Sequence, residues 1–287
     1  MAGIRELKKH LKSIRSIGQL AGAMRTVATA KYSRVNAVRS DFSEYASACR
    51  EVLARFGAEA AFPGRGEAAP DGERLCIVVM CGDRGLCGSY NSEVLARFSA
   101  LLTANGGRTS VIACGRVASQ YCRDRKIPVE NEYLFGDIPS YGDAQQLCAR
   151  LRDLYRTGAA DRIVIVRQQF KNMLVQTPVD EVFLPGAKQR SDDDFRTLYI
   201  PDRGSIVTKV ICECLDAEIY SCLLECAAGA QAATIMAMRS AYDNSKSSSE
   251  ELEAKINRIR QSEVTSDVIE ISYDRGEDDW QYFSSDD

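Results

Sequence analysis

From Ile4 onward, apolar or small residues recur in alternating steps of three and four: Leu7, Leu11, Ile14, Gly18, Ala21, Arg25, Ala28, Tyr32, Val35, Arg39, Phe42, Ala46, Cys49, Leu53 and Phe56. Only Arg25 and Arg39 put charge on this row. A heptad row held so long predicts one coiled-coil helix over 1–57, because a core helix drifts out of register sooner. No proline precedes Pro63 to break it. At 1.5 Å per residue such a helix is roughly 80 Å long.

Gly57, Pro63-Gly64-Arg65-Gly66 and Pro70-Asp71-Gly72 mark a linker over 58–73. Strand and helix signals then alternate over 74–200. Leu75–Met80, Val111–Ala113 and Ile163–Val166 read as strands, as do Met173–Val175 and Val179–Leu184. Val94–Leu102, Val117–Cys122 and Ala144–Tyr155 read as helices. This order predicts an α/β domain with a largely parallel sheet. After Pro201-Asp202-Arg203-Gly204, with Ser205 as the expected N-cap, a second long helix is predicted over 205–271. Ile211, Cys214 or Leu215, Cys222, Cys226, Leu252, Ile256 and Ile259 mark its stripe. Two long helices flanking a compact domain pack economically as an antiparallel pair. The remaining segment, 272–287, holds six acids against Arg275 and is expected to be extended and solvated.

Charge separates the two ends. Residues 1–40 carry nine basic side chains and one acid, and residues 263–287 carry nine acids and one base. The basic end suits a nucleic acid, an acidic protein surface, or simply a solvated helix face. The longest clean apolar run, Leu75–Cys81, is too short for a membrane span, and lysines interrupt the apolar positions near Met1. Eleven cysteines with no secretory signal point to a reducing compartment, and no CxxC supports a zinc site.

The most enzyme-like segment is Met80-Cys81-Gly82-Asp83-Arg84-Gly85-Leu86-Cys87-Gly88-Ser89-Tyr90-Asn91. It follows a strand and precedes a helix, a place where backbone N–H groups can face a phosphate. Its spacing matches neither G-x-G-x-x-G nor the G-K-[ST] of a phosphate loop, so a structural turn stands beside a nucleotide site as its reading. His10 is the only histidine, which leaves Ser/His and Cys/His catalysis without a base. Asp192-Asp193-Asp194 reads as a solvated loop. A nucleotide-dependent enzyme and a nucleic-acid-binding coiled coil remain the alternative classes.

Leu20 through Lys31, the segment Asp83-Arg84-Gly85-Leu86-Cys87-Gly88, Ala232 through Met238, and Asn257-Arg258-Ile259-Arg260-Gln261 with Val264-Thr265 together resemble the gamma subunit of F-type ATP synthases, in order and placement along nearly the whole chain. The resemblance implies an α/β fold in which a long antiparallel coiled coil of the terminal helices accompanies a central Rossmann-like domain. It implies a non-catalytic central rotor shaft of a proton-translocating complex, with alpha, beta and epsilon subunits and the membrane c-ring as partners and one copy per complex. Mg-ATP, ADP and phosphate would bind other subunits, with no cofactor on this chain and no nucleic acid. The implied location is peripheral, at the cytoplasmic face of a bacterial plasma membrane. Arg260, Gln261 and Thr265, together with Met24 and Arg25, are the implied beta-subunit contacts, although Met24 also suits simple packing. Asp83, Arg84, Gly85, Leu86, Cys87 and Gly88 form the implied motif of the foot domain. Thr234 departs from the family's usual arginine, and Ser245, Ser247, Ser248 and Ser249 suggest a loose seam.

Overall fold

The computed structural model describes residues 2–58, 62, 74–105, 109–186 and 203–282, and the side chains of all of these except 2, 3, 203, 205 and 270–282. Most of the expected linker, the Asp192–Asp194 run and the last five residues lie outside the described residues. The elements in order are α1 (Ala2–Phe56), β1 (Leu75–Met80), α2 (Tyr90–Asn105), β2 (Thr109–Cys114), α3 (Arg116–Asp124), β3 (Asn131–Tyr133), α4 (Tyr141–Arg156), β4 (Arg162–Phe170), β5 (Gln176–Leu184) and α5 (Arg203–Tyr282). They form two compact units, Met1–Met24 with Met238–Asp287, and Arg25–Ala237. Both long helices contribute to each unit.

In the larger unit the strands lie in the order β3-β2-β1-β4-β5. The first four are mutually parallel, and β5 runs antiparallel to β4. β1 is buried throughout, so its sequence is an unbroken apolar run rather than an alternation. Its side chains divide by parity. Leu75, Ile77 and Val79 pack with Val94, Phe98, Ala118 and Cys122 on one face. Cys76, Val78 and Met80 pack with Leu147, Cys148 and Leu151 of α4 and with Ile211, Leu215 and Ile219 of α5 on the other.

On that second face α1 returns against α5 in antiparallel sense. Arg50 pairs with Glu218 at 3.3 Å. Phe42 meets Tyr220 edge-on at 4.8 Å between ring centroids. Cys49 is buried with Cys214 and Ala217. Lys31 reaches Asp137 in the β3–α4 connection at 2.6 Å, and Arg39 lies over the Phe170 ring at the end of β4.

The smaller unit is a helix pair, also antiparallel. Arg15 pairs with Glu253, and Ser245 Oγ donates to the Ile14 carbonyl at 2.7 Å. A Cβ built on Gly18 would stand 2.6 Å from that hydroxyl, so any side chain here would have to displace it from the Ile14 carbonyl. Ser245 therefore does not loosen the seam: it is 9% exposed and bonded across it. Along the whole of α1, none of the sixteen row positions is exposed.

Three sequence expectations change. The apolar run Met173–Val175 is the turn between β4 and β5, where Asn172 Oδ1 accepts from the N–H groups of Leu174 and Val175 at 2.9 and 2.8 Å. This side-chain turn overrides a strand pattern of only three residues. Ser205 lies inside the first turn of α5 rather than capping it. α5 also continues to Tyr282, into the segment expected to be extended. Losing the apolar stripe does not stop a helix, and no proline follows; Gly276 alone costs about 1 kcal/mol. An 18-residue stretch of α5 has a mean hydropathy of 1.3, enough by length and composition to cross a membrane, but 56% of it is buried within the protein, as in a core helix.

Candidate functional site

The glycine-rich segment leaves the C-terminal end of β1, between β2 and β4, where open α/β sheets commonly bind ligands because the connections diverge to opposite faces. Its conformation is set by one side chain. Asn91, buried in the first turn of α2, accepts from Gly82 N at 2.9 Å. Its amide donates to the Arg84 carbonyl at 3.1 Å and meets Cys87 Sγ at 3.1 Å. Asp83 Oδ1 accepts from the backbone N–H of Arg116 at 3.0 Å, so this carboxylate occupies the N-terminus of α3. Leu86 and Gly88 have positive φ, a conformation that costs a non-glycine residue about 1 kcal/mol or more and that the internal bonds maintain. Arg84, Gly85 and Gly88 are exposed, and Leu86 is 61% exposed.

The crevice itself is filled by α5. Tyr90 Oη donates to the Cys226 carbonyl at 2.9 Å, and Gln176 Nε2 donates to the Gly229 carbonyl at 3.2 Å. A Cβ on Gly229 would lie 2.8 Å from Gln176 Oε1 and 3.0 Å from the Tyr90 ring, so the helix approaches the sheet through this glycine. Ala230 sits over Gly82. A ligand at the usual position would have to displace the helix. Burial pushes the Cys81 and Cys87 thiols up, which disfavours the nucleophilic thiolate.

Next to this contact, Arg167 on β4 is almost wholly enclosed, with its side chain 5% exposed. One guanidinium nitrogen donates to Glu225 on α5 at 2.7 Å and another to Glu181 on β5 at 2.9 Å. Arg152 on α4 reaches Asp216 at 2.6 Å and the Cys212 carbonyl at 2.9 Å. Burial raises the Asp216 carboxyl, an effect that Cys148 and Arg152 oppose. Sequence reading missed these arginines because their partners lie 58 and 64 positions away. For Arg167 the one available signal was a charged residue directly after the run Ile163–Val166, in a strand that continues to Phe170.

The remaining sequence-derived residues fall elsewhere. Arg260, Gln261 and Thr265 lie within two turns of α5 and are exposed, and the Thr265 hydroxyl donates to the Gln261 carbonyl at 2.8 Å. Met24 and Arg25 are half-buried on α1. Within the smaller unit, Gly22 lies beside Tyr242, so Met24, two residues further along an antiparallel pair, is at a level about 20 residues, roughly 30 Å, from Arg260 along α5. These residues form no single cluster. Thr234 bonds within its own helix, to the Ala230 carbonyl at 2.8 Å.

Comparison with known proteins agrees over nearly the full length. The family described as ATP synthase matches residues 3–273. The ATP synthase gamma chain of Rubrobacter xylanophilus is 30% identical, with 95% of this chain and 97% of that one covered. That of Pelotomaculum thermopropionicum is 28% identical, covering 94% and 97%. Among solved structures, a chain of the Euglena gracilis mitochondrial ATP synthase (OSCP/F1/c-ring) has a TM-score of 0.67 over 96% of this chain and 94% of its own, at 16% identity. A chain of the Tetrahymena thermophila central stalk and c-ring has a TM-score of 0.60, covering 77% and 99%, at 17% identity. The structural likeness establishes the fold, and with the sequence matches it places the chain in the ATP synthase gamma-chain family, that of the central stalk.

Proposed function

We propose that this chain is the non-catalytic rotor shaft of a proton-translocating ATP synthase at the cytoplasmic face of a bacterial plasma membrane. It works with alpha and beta subunits, an epsilon subunit and a membrane c-ring. Mg-ATP, ADP and phosphate bind to the ring of alpha and beta subunits, and the chain acts on them by favouring different conformations of successive beta subunits as it turns. The observation that carries this reading is one uninterrupted 80-residue helix with two kinds of environment. One stretch is enclosed by the α/β unit, and the other buries a single stripe and leaves its outer face open. That is the construction of an axle held at one part and read along another. The internally bonded glycine loop and the helix-filled crevice weigh against a nucleotide-dependent enzyme.

In this reading the exposed Arg260, Gln261 and Thr265 contact a beta subunit, as do Met24 and Arg25 where their partly open surfaces allow. Charge-assisted hydrogen bonds there contribute about 1.5–3 kcal/mol each. The test is affinity purification of the chain from its own cells, followed by reconstitution with Arg260→Ala and Gln261→Ala together. The expected result is recovery with the other subunits of an ATPase, and reduced coupled ATP synthesis by the variant with folding intact. Recovery without such subunits, or micromolar ATP binding by the isolated chain that is lost on changing Asp83 or Arg84, overturns the proposal.

A further inference from the structure

The α/β unit holds α5 by two ion pairs, each with one buried partner, whose positions on the helix are not equivalent. Asp216, taken by Arg152 of α4, and Glu225, taken by Arg167 of β4, are nine residues apart. At 3.6 residues per turn this is two and a half turns, which puts the two carboxylates on opposite sides of α5. A single ion pair on a helix resists sliding but lets the helix roll about the contact. Two on opposite sides oppose rotation about the helix axis as a couple.

Each arginine also makes a second polar contact, Arg167 within the sheet and Arg152 to α5 itself. Arg167 is shared with Glu181 of β5, and Arg152 also bonds the Cys212 carbonyl. Just beyond the second pair, Tyr90 and Gln176 hold the backbone at Cys226 and Gly229. The aliphatic packing around Ile219 and Leu224 supplies adhesion. The ion pairs add a directional constraint, because a rotation that separated them would leave the buried Asp216 or Arg167 without its partner on the other element.

We infer that Arg152 and Arg167 are positioning residues for torque: they lock α5 to the α/β unit so that turning one turns the other. This inference rests on the rotor reading above. A separate outcome tests that reading: if the wild-type chain does not join a membrane-bound ATPase, the rotor reading fails.

The experiment uses the assembled complex in vesicles, purified through a tag on another subunit. In the same vesicles, ATP hydrolysis is compared with ATP-driven proton uptake reported by a pH-sensitive dye. Both pairs are replaced by apolar side chains, Arg152→Met with Asp216→Leu and Arg167→Met with Glu225→Leu, so that no buried charge is left without its partner on α5. The expected result is at least a threefold fall in uptake per ATP hydrolysed, an intermediate fall for either pair alone, and a near wild-type ratio for Arg167→Lys. A merely structural role would lower the yield of complex and both activities together, leaving the ratio in place. A ratio reduced less than threefold in the assembled four-residue variant overturns the inference. If that variant does not assemble, the Arg167→Met, Glu225→Leu pair decides on a twofold threshold.

Discussion

Two stretches of one helix follow different rules. Between Ile211 and Gly229, Glu213 is the only exposed residue of α5, because α1, α4 and the sheet surround the helix there. Between Met238 and Glu263 it buries Met238, Ser245 and Ile256 and leaves most of the rest half-buried or open. The first stretch is covered nearly all round, its acids included, and the second buries one stripe. The enclosed stretch is built to be gripped, and the striped stretch to pair with α1 while presenting a surface. The backbone alone does not distinguish them.

The sharpest way to break this contrast is to truncate side chains in each stretch. Ile219 and Leu224 are fully buried, and replacing either by alanine leaves a cavity that costs about 2–5 kcal/mol. Ile256 is buried within a single stripe, so Ile256→Ala is expected to cost about 1–2 kcal/mol, near the transfer term alone. Urea denaturation of the purified chain measures both. Equal losses at the three positions would show that the two stretches are packed alike.

A second test probes how closely the smaller unit is packed. Gly18→Ala places a methyl group 2.6 Å from Ser245 Oγ and 3.2 Å from its Cβ. It drives the hydroxyl off the Ile14 carbonyl, at a cost of about 1 kcal/mol that the better helix propensity of alanine roughly offsets. With Ser245→Ala already present, the same change is expected to stabilise by about 0.5–1 kcal/mol. A double-mutant cycle on thermal stability gives the coupling directly, and additive effects would mean that the backbones are not held in close approach.

These contacts bear on what could be read from sequence. The α1 row was legible because it holds over sixteen positions and each of them feels the same seam. β1 was legible because a strand covered on both faces must be apolar at every residue. β3, Asn131–Tyr133, was not, since three residues with no alternation carry no period. The glycine segment announced a turn after a strand, but its bonding depends on Asn91 and on a helix that arrives more than 130 residues later. The arginine pairs were invisible for the same reason: sequence distance hides partners, and a charge inside a strand does not say which carboxylate it meets. Ser245 was misread because polarity was weighed without the small residue opposite.

The smallest expected effect concerns the α1–α5 contact in the larger unit. Burial raises the Glu218 carboxyl above the usual 4.5, although Arg50 and then Arg167 pull it down. A carboxyl raised on folding contributes stability that is fully present below its ordinary value and is lost as pH rises through the raised one. Glu218→Gln keeps a neutral side chain at all pH. Its stability relative to wild type is therefore expected to increase between about pH 4 and pH 7, by up to about 1 kcal/mol given the partly exposed Arg50. Thermal melts at the two pH values check the sign, and a relative stability that falls with pH would contradict it.

In the rotor reading proposed above, the chain turns as one shaft, gripped along the enclosed stretch of α5 and read along the striped one. Lys171 is exposed in the turn between β4 and β5, where a cysteine can carry a visible probe on a complex fixed to a surface through its other subunits. With ATP supplied, the probe is expected to rotate stepwise in one direction. A probe that stays still while the same complexes hydrolyse ATP would contradict it.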